Sequence, residues 1–453
     1  MKKENKKIDI KMTSGSIYKH LFNYALPLII GNIILLTYNA IDLIIIGKNL
    51  GETSLAAVGS VAPIMTMVIH LVSGICIGAS VIISEFFGAN DNKKIKTEVS
   101  TTIISGTIFT CIIAILCIIF AKKIFILLRV PNEALNEAII YLQVVAVGFL
   151  FVFMYNVYSN ALRAIGDSKT ATFFLIISAI INLILDIIFV IYLGLGVFGA
   201  GFATLISQIV ACVSCIIYVQ MKKNILHLRK QDLIFDKNLY KKTMSYGLIT
   251  AIQQAVPPLG KILLTSKVNT LSITPMAAYN ATSKLDDLTI IPQQSISYGI
   301  MTCVAQNRGA KEYIRIRETM KKGLVLEFIY SIIIALITYF CGLYIMILFS
   351  PKGSNEMISL GVKYFKIIAF FYITPGITNA LQSFFRGMGN MSITLITSSI
   401  QVCVRVIVAY IFIPIIGFPA VAYGMIAGWF TMLIIEVPYY FYCKNKKWKN
   451  MMI

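Results

Sequence analysis

The chain has 453 residues, of which 58% are hydrophobic and only 13% charged, and it carries a formal net charge of +20. A soluble protein of this length needs far more polar surface, so this composition excludes the soluble globular class. The basic excess accompanies long apolar runs and forms no aromatic-basic patch. We therefore expect no nucleic acid partner.

Twelve apolar runs, each long enough to cross a bilayer, follow one another along the chain. They cover approximately residues 17–46, 55–84, 97–120, 136–162, 170–193, 197–220, 240–269, 276–305, 320–348, 358–385, 393–413 and 417–442. The first run is too long for the apolar core of a signal peptide, and no small-residue cleavage site follows it. The pattern predicts an all-α membrane protein with twelve transmembrane helices.

Lysine and arginine residues are distributed unevenly between the predicted loops. Most lie in the two chain tails and in the segments after even-numbered runs, whereas the alternate loops hold few. This bias marks the cytoplasmic side of a membrane protein. We expect a multi-pass protein of the inner (plasma) membrane, surrounded by lipid bilayer, with both termini in the cytoplasm.

Short motifs recur along the chain at an offset of about 221 residues. The matching positions are Gly78 and Gly299, Gly88 and Gly309, Arg163 and Arg386, and Gly196 and Gly417. Six runs in each half preserve the orientation of the repeat, as in parallel transporter repeats. We predict two pseudo-symmetric six-helix bundles around a central cleft, over 17–220 and 240–443. A cytoplasmic linker over 221–239 joins them, with cytoplasmic tails over 1–16 and 444–453.

Two acidic residues lie inside apolar runs, where a charge costs about 2.5–3.5 kcal/mol at the bilayer centre. Asp42 in the first run and Asp186 in the fifth each lie roughly 8–10 Å from the outer end of a helix. Asn182 precedes Asp186 by one turn on the same face, and Thr204 lies at similar depth in the sixth run. Their oxygens suit a hard cation or a proton. We predict a cation- or proton-binding site here; a hydrogen-bond network that pins the helices is the alternative.

The second half does not repeat these acids. It carries other charges in its apolar runs, among them Asp286 and Asp287, and Lys284 and Asp287 are spaced to form an ion pair. Buried cations facing the cleft, Lys261 and Arg405, would favour an anionic or zwitterionic substrate. Aromatic and amide groups also suit a ligand cleft. The candidate substrate-cleft residues are Tyr38, Asn39, Asn156, Gln253, Gln254, Lys261, Asn280, Lys284, Asp287 and Arg405.

Taken in order, several motifs resemble the multidrug and toxic compound extrusion (MATE) family over about 15–445. The strongest are Pro27…Asp42…Gly47-x-x-x-Gly51, Leu162-Arg163-Ala164-x-Gly166, Asn182-x-x-x-Asp186, Gln306-Asn307-x-Gly309-Ala310 and Phe385-Arg386-Gly387-x-Gly389. The resemblance, closest to the DinF-like type, implies antiport of small organic, often cationic and amphipathic compounds or drugs against H⁺ or Na⁺ by alternating access. It also implies that Asp42, Asn182, Asp186 and Thr204 form the cation site. Pro27, at the family's first-helix proline, is a candidate for a helix bend.

No sequence feature indicates catalysis, a cofactor or a metal other than Na⁺ at the cation site. The nine cysteines are scattered along apolar runs, and the only CxxC, Cys212 and Cys215, lacks a second pair for zinc. We expect a monomeric transporter of small molecules and not an enzyme. The alternative function is a flippase for lipid-linked oligosaccharides or lipids in the same superfamily, for which Lys261, Lys284 and Arg405 would supply a cationic lining.

Overall fold

The computed structural model describes residues 11–128, 130–222, 225–349 and 354–448, apart from the side chains of Asn39 and Lys447. Within these ranges the regular structure is helical throughout and contains no strand. The helices are α1 (Ile17–Gly88), α2 (Asn92–Leu127), α3 (Asn132–Ala164), α4 (Ser168–Asp186), α5 (Gly196–Met221), α6 (Lys237–Val268), α7 (Ile273–Gly309), α8 (Tyr313–Phe349), α9 (Asn355–Ile368), α10 (Ile373–Gly387), α11 (Met391–Ile416) and α12 (Ala420–Tyr442). A π-helical segment, Ile187–Tyr192, continues α4, and a 3-10 turn, Ala369–Tyr372, joins α9 to α10.

The first two predicted spans form one kinked helix rather than two helices joined by a loop. The backbone of α1 leaves the helical region only at Gly51, where φ is 85° and ψ is −176°. Glycine adopts this conformation readily because it has no Cβ. The loop expected between 46 and 55 is therefore a kink, whereas the backbone at Pro27 keeps helical angles.

Nine helical segments in the described ranges are long and apolar enough to cross a membrane. The 72-residue α1 is long enough to cross twice, at 1.5 Å per residue. The helices α6 and α7 have 32 and 37 residues but are more polar, and they coincide with the predicted runs 240–269 and 276–305. The remaining predicted runs also overlap helices, which confirms the all-α membrane fold.

Apolar side chains form separate cores in the two halves of the chain. One cluster draws only on residues between 45 and 228, and a second only on residues between 264 and 429. A third cluster packs Met12 and Leu21 against Phe384 and Trp448. Both described chain ends therefore lie on one face of the molecule, which we call the terminal face.

The two halves contact each other backbone to backbone towards the terminal face. A methyl group added at Gly78 would lie 2.5 Å from the backbone nitrogen of Gly247, so only hydrogen fits there. Methyl groups at Gly88 and Gly309 would overlap the carbonyl oxygens of Gln306 and Glu85. Because these motif glycines permit this close approach, they are packing positions within the helices.

A carboxylate ties the halves together beside these glycines. Glu85 on α1 forms ion pairs with Arg308 on α7 and, at 3.1 Å, with Lys242 on α6. Gln306 adds a cross-link, because its side-chain oxygen accepts a hydrogen bond from the backbone of Met12 and its nitrogen donates to the carbonyl of Ala164. The terminal face is thus sealed in this conformation.

The segment between α5 and α6 packs against the N-terminal part of α2. Lys96 forms an ion pair with Asp232 at 2.9 Å, and the Thr101 hydroxyl accepts a hydrogen bond from the backbone N–H of Asp236 at 3.0 Å. The Arg229 backbone N–H, followed by the Lys96 ammonium, lowers the pKa of Asp232. The predicted linker therefore carries a specific contact to the first half.

Candidate functional site

The structure brings the four residues of the predicted cation site together. Asp42 lies on α1, Asn182 and Asp186 on the last turns of α4, and Thr204 on α5. The carboxyl groups of Asp42 and Asp186 lie within hydrogen-bonding reach of each other. In the amide orientation that satisfies both of its ends, Asn182 donates to Asp186 Oδ2 at 3.0 Å and accepts from the Thr204 backbone N–H at 3.2 Å.

In the acid pair, Asp186 is buried, Asp42 is half-buried, and the hydrogen-bonding capacity is incompletely satisfied. Asp186 has 0% exposure, and its Oδ1 receives no hydrogen bond from a donor among the described residues. Two carboxylates in contact in such surroundings require a proton or a cation to offset their charge. The oxygen-rich donor set suits either.

Two tyrosines complete the wall around the acids. The hydroxyl of Tyr141, on α3, lies within hydrogen-bonding reach of Thr204. Tyr38 lies on α1 beside both carboxyl groups. We predicted Tyr38 in the substrate cleft, but it lies at the acid pair and lines neither of the cavities described below. Tyr141 was not predicted, because a tyrosine in an apolar run carries no distinguishing signal.

Two adjoining cavities lie among the helices, the first within the second half and the second between the two halves. Gln254, Gln294 and Tyr298 line both of them. The first cavity, of about 190 Å³, is walled by α6, α7, α10, α11 and α12. The second, of about 260 Å³, is walled by α1, α3, α6 and α7. Of the predicted cleft residues, Gln253, Gln254 and Arg405 line the first cavity and Asn156 and Gln254 the second. The side chain of Asn39 lies outside the described residues.

Hydrogen-bonded polar side chains form part of the wall of the first cavity and connect it to the buried Glu436. Arg386 Nη2 donates to Gln253 Oε1 at 2.8 Å, and Gln253 Nε2 donates to Gln382 Oε1 at 2.9 Å. Gln382 in turn donates to Oε1 of Glu436, which also accepts from Thr397 at 2.7 Å. Glu436 has 0% exposure. The network holds the cavity's amide groups in defined orientations.

The predicted ion pair between Lys284 and Asp287 is wrong. Asp287 pairs instead with Lys261 on α6 at 2.8 Å, and both side chains are exposed. A spacing of three allows a pair within one helix, but the neighbouring helix offers Asp287 a partner at contact distance. Lys261 is therefore neither buried nor unpaired, and of the two predicted cleft cations only Arg405 lines a cavity.

Three other predicted second-half positions lie away from the cavities. Lys284 and Asn280 are exposed and line neither cavity. Asp286 is buried, and its two carboxylate oxygens accept hydrogen bonds from the hydroxyls of Tyr364 and Tyr372. Asp286 is thus held in a buried hydrogen-bonded cluster and lines neither cavity.

Sequence reasoning missed the two arginines at matching repeat positions. We counted Arg163 and Arg386 as loop charges, but they lie in the last turns of α3 and α10 and line the two cavities. The signal that could have identified them is that both arginines occupy equivalent positions of the repeat.

The chain is similar in sequence to known membrane transport proteins. The MatE family profile matches residues 27–188 and, a second time, residues 250–411. The probable multidrug resistance protein YoeA of Bacillus subtilis is 25% identical over 388 residues, covering 84% of this chain and 83% of the relative. The FAD transporter of Shewanella oneidensis is 24% identical over 393 residues, covering 85% of this chain and 86% of the relative.

A solved MATE structure in the bent conformation has the same fold. It matches with a TM-score of 0.92 at 21% identity, covering 99% of this chain and 100% of that chain. The two profile matches together span well over half of the described protein, at the two halves inferred from the repeat. The chain therefore belongs to the MATE family of multidrug efflux transporters.

Proposed function

We propose that this protein is an antiporter that expels small organic compounds in exchange for H⁺ or Na⁺ by alternating access. The cation or proton binds at Asp42, Asn182, Asp186 and Thr204, and the organic substrate binds in the adjoining cavities. The observation that carries the proposal is the acid pair, in which Oδ1 of the buried Asp186 has no donor among the described residues and leaves a position for a proton or cation.

The sealed terminal face supports assignment of this conformation to the outward-facing state. Glycines towards the terminal face contact the opposite half, whereas methyl groups added at Gly51, Gly59, Gly194 and Gly417 would meet no atom within 4 Å. The lysine and arginine bias supports a cytoplasmic terminal face in the inner membrane. The moving units would be the bundles over 17–220 and 240–443 of a monomer.

Helix α1 offers a path for coupling. It carries Asp42 and, beyond the Gly51 kink, the contacts of Gly78, Glu85 and Gly88 with the second half. Ion binding drives a conformational change only if it favours one state over the other. Inward movement of one charge adds about 2.3 kcal/mol per 100 mV of membrane potential. Pro27, which lacks a backbone N–H, is the candidate position for a bend in this helix during the cycle.

Transport by the purified protein in proteoliposomes tests this function. Imposed Na⁺ and pH gradients are applied separately, and movement of fluorescent organic cations and anions is followed together with the counterflux of the ion. We expect one gradient to drive substrate uphill with stoichiometric ion movement. Gradient-independent transbilayer movement of a fluorescent lipid, without ion counterflux, would instead assign the protein to the flippase class.

The ion pairs of Glu85 provide a prediction about the conformational equilibrium. We expect Glu85→Gln to shift the population away from the sealed state by about 1–3 kcal/mol, because Arg308 and Lys242 both lose their carboxylate partner. Spin labels at the exposed positions Lys93 and Glu312, one on each half, report this shift as longer distances. Glu318→Gln is the matched control, since the ion-pair partner of Glu318 among the described residues is Lys322, one turn away on the same helix. An unchanged distance distribution in Glu85→Gln would contradict the prediction.

A further inference from the structure

The lining of the two adjoining cavities is cationic. Arg386 and Arg405 line the first cavity, and Arg163 lines the second. Among the described lining residues neither cavity has an aspartate or a glutamate. Buried guanidinium groups are costly unless a partner offsets their charge. The lining therefore favours an anion.

The three guanidinium groups retain hydrogen-bonding capacity. No ion pair to Arg163, Arg386 or Arg405 occurs in the part of the chain that the structure describes. The buried Nε atom of each has no hydrogen-bond partner there. Arg386, which is only 9% exposed, donates through Nη2 to the neutral amide of Gln253. These donors remain available to a ligand.

The buried acids beside Arg386 and Arg405 accept hydrogen bonds from other side chains, although Oε2 of Glu436 has no partner among the described residues. Glu436 stands behind Arg386 and accepts hydrogen bonds through Oε1 from Thr397 and Gln382. Asp286 stands behind Arg405 and is held by two tyrosine hydroxyls. Both acids interact electrostatically with the neighbouring arginine without forming an ion pair with it. They therefore stabilise the guanidinium groups and leave the cavity side to a ligand.

The neutral part of the lining indicates the rest of the ligand. Gln254 and Gln294 present amides where the cavities meet, and Tyr298 lies between them. Trp429 and Tyr24 add aromatic surface at the two ends. Amides and aromatic rings recognise flat molecules with polar edges. The two cavities, of about 190 and 260 Å³, are together the size of a small organic ligand site.

We propose that the adjoining cavities, with Arg163, Arg386 and Arg405 as anion-binding residues, bind an organic anion that carries a carboxylate or phosphate on a flat ring. Arginine recognises both groups through paired N–H donors. This inference rests on the proposed transport function and narrows its substrate from small organic compounds, often cationic, to anions. The Lys261–Asp287 pair is neutral overall and lies outside both cavities.

Equilibrium binding to the purified protein tests the inference without any ion gradient. The probes are pyrenebutyrate and a pyrenebutyl-trimethylammonium salt, which share one ring and differ in charge. We expect the wild type to bind the anionic probe at least tenfold more tightly. Arg405→Gln and Arg163→Gln are each expected to weaken its binding by tenfold or more, without weakening the cationic probe. Lys261→Gln, which removes a positive charge outside the cavities, is expected to leave both affinities unchanged.

Further measurements distinguish loss of charge recognition from misfolding, and a soluble ligand from a lipid. Arg386→Lys, which keeps the charge, should retain more anion binding than Arg386→Gln, with equal melting temperatures showing that both are folded. Displacement of pyrenebutyrate by phenyl phosphate supports a soluble organic anion, and displacement only by short-chain phosphatidic acid assigns the arginines to a lipid headgroup. Tighter binding of the cationic probe, or unchanged anion affinity in the Arg163 and Arg405 variants, would overturn the inference. Because no gradient is present, that result would leave the antiport proposal standing.

Discussion

Replacing Asp186 by asparagine should reduce ion-driven transport by about a hundredfold or more while preserving the fold. Asparagine has the same shape and keeps an oxygen that can accept the hydrogen bond from Asn182. It removes one of the two charges that would hold a proton or cation beside Asp42. Removing one carboxylate partner of a bound cation or proton costs about 2–5 kcal/mol, roughly 30- to 5,000-fold, a range that includes the expected loss. The measurement is Na⁺ or H⁺ counterflux in proteoliposomes under the gradient that drives the wild type.

The matched control for this change is Asp287→Asn. Asp287 is an aspartate in a transmembrane helix, but it is exposed and pairs with Lys261 outside the acid site. We expect its counterflux to stay within about threefold of the wild type, because Asp287 lies outside the acid site and lines neither cavity. Asp42→Asn should match Asp186→Asn, since the two carboxyl groups act together. Full counterflux in both variants would show that the acid pair only pins the helices.

The acid site could be predicted from sequence because its position depends on regular helix geometry. A rise of 1.5 Å per residue places Asp42, Asp186 and Thr204 at one depth, and a spacing of four places Asn182 beside Asp186. A charged residue inside an apolar run is also conspicuous by itself. Neither argument needs the relative rotation of the helices.

The cavity lining could be predicted only in part, because it depends on that rotation. Lys284 and Arg405 look alike in sequence, yet Arg405 lines a cavity and Lys284 does not. Arg163 and Arg386 follow long apolar runs and were therefore assigned to loops, although they form the last helical turns. The kink at Gly51 was missed for a related reason: a glycine between two apolar runs is equally compatible with a loop and with a continuous helix.

The glycine contacts at the terminal face give the second large prediction. We expect Gly88→Ala to abolish transport, because its methyl group would overlap the carbonyl oxygen of Gln306 when the face is sealed. The carbonyl oxygen is a backbone atom of α7, and the methyl group is attached directly to the backbone of α1. No side-chain rotation therefore relieves the overlap. Gly309→Ala should behave alike, since its methyl group would overlap the carbonyl oxygen of Glu85.

Loss of transport in Gly88→Ala would come from blocked closure rather than from unfolding. Alanine in a helix is about 1 kcal/mol more favourable than glycine, so α1 itself is not weakened. Gly59→Ala is the control, because a methyl group on this helical glycine meets no atom within 4 Å. We expect Gly59→Ala to transport at the wild-type rate and Gly88→Ala to retain its melting temperature within a few degrees.

The distance between spin labels at Lys93 and Glu312 distinguishes the remaining possibilities. If Gly88→Ala prevents the terminal face from sealing, the label distances lengthen and lose the short population of the wild type. An ion gradient should then fail to restore that population, because the overlap of Cβ with a carbonyl oxygen exceeds the free energy available from one ion. Normal transport by Gly88→Ala would mean that the sealed arrangement is not a step of the cycle, and that the alternating-access proposal needs a different closed state.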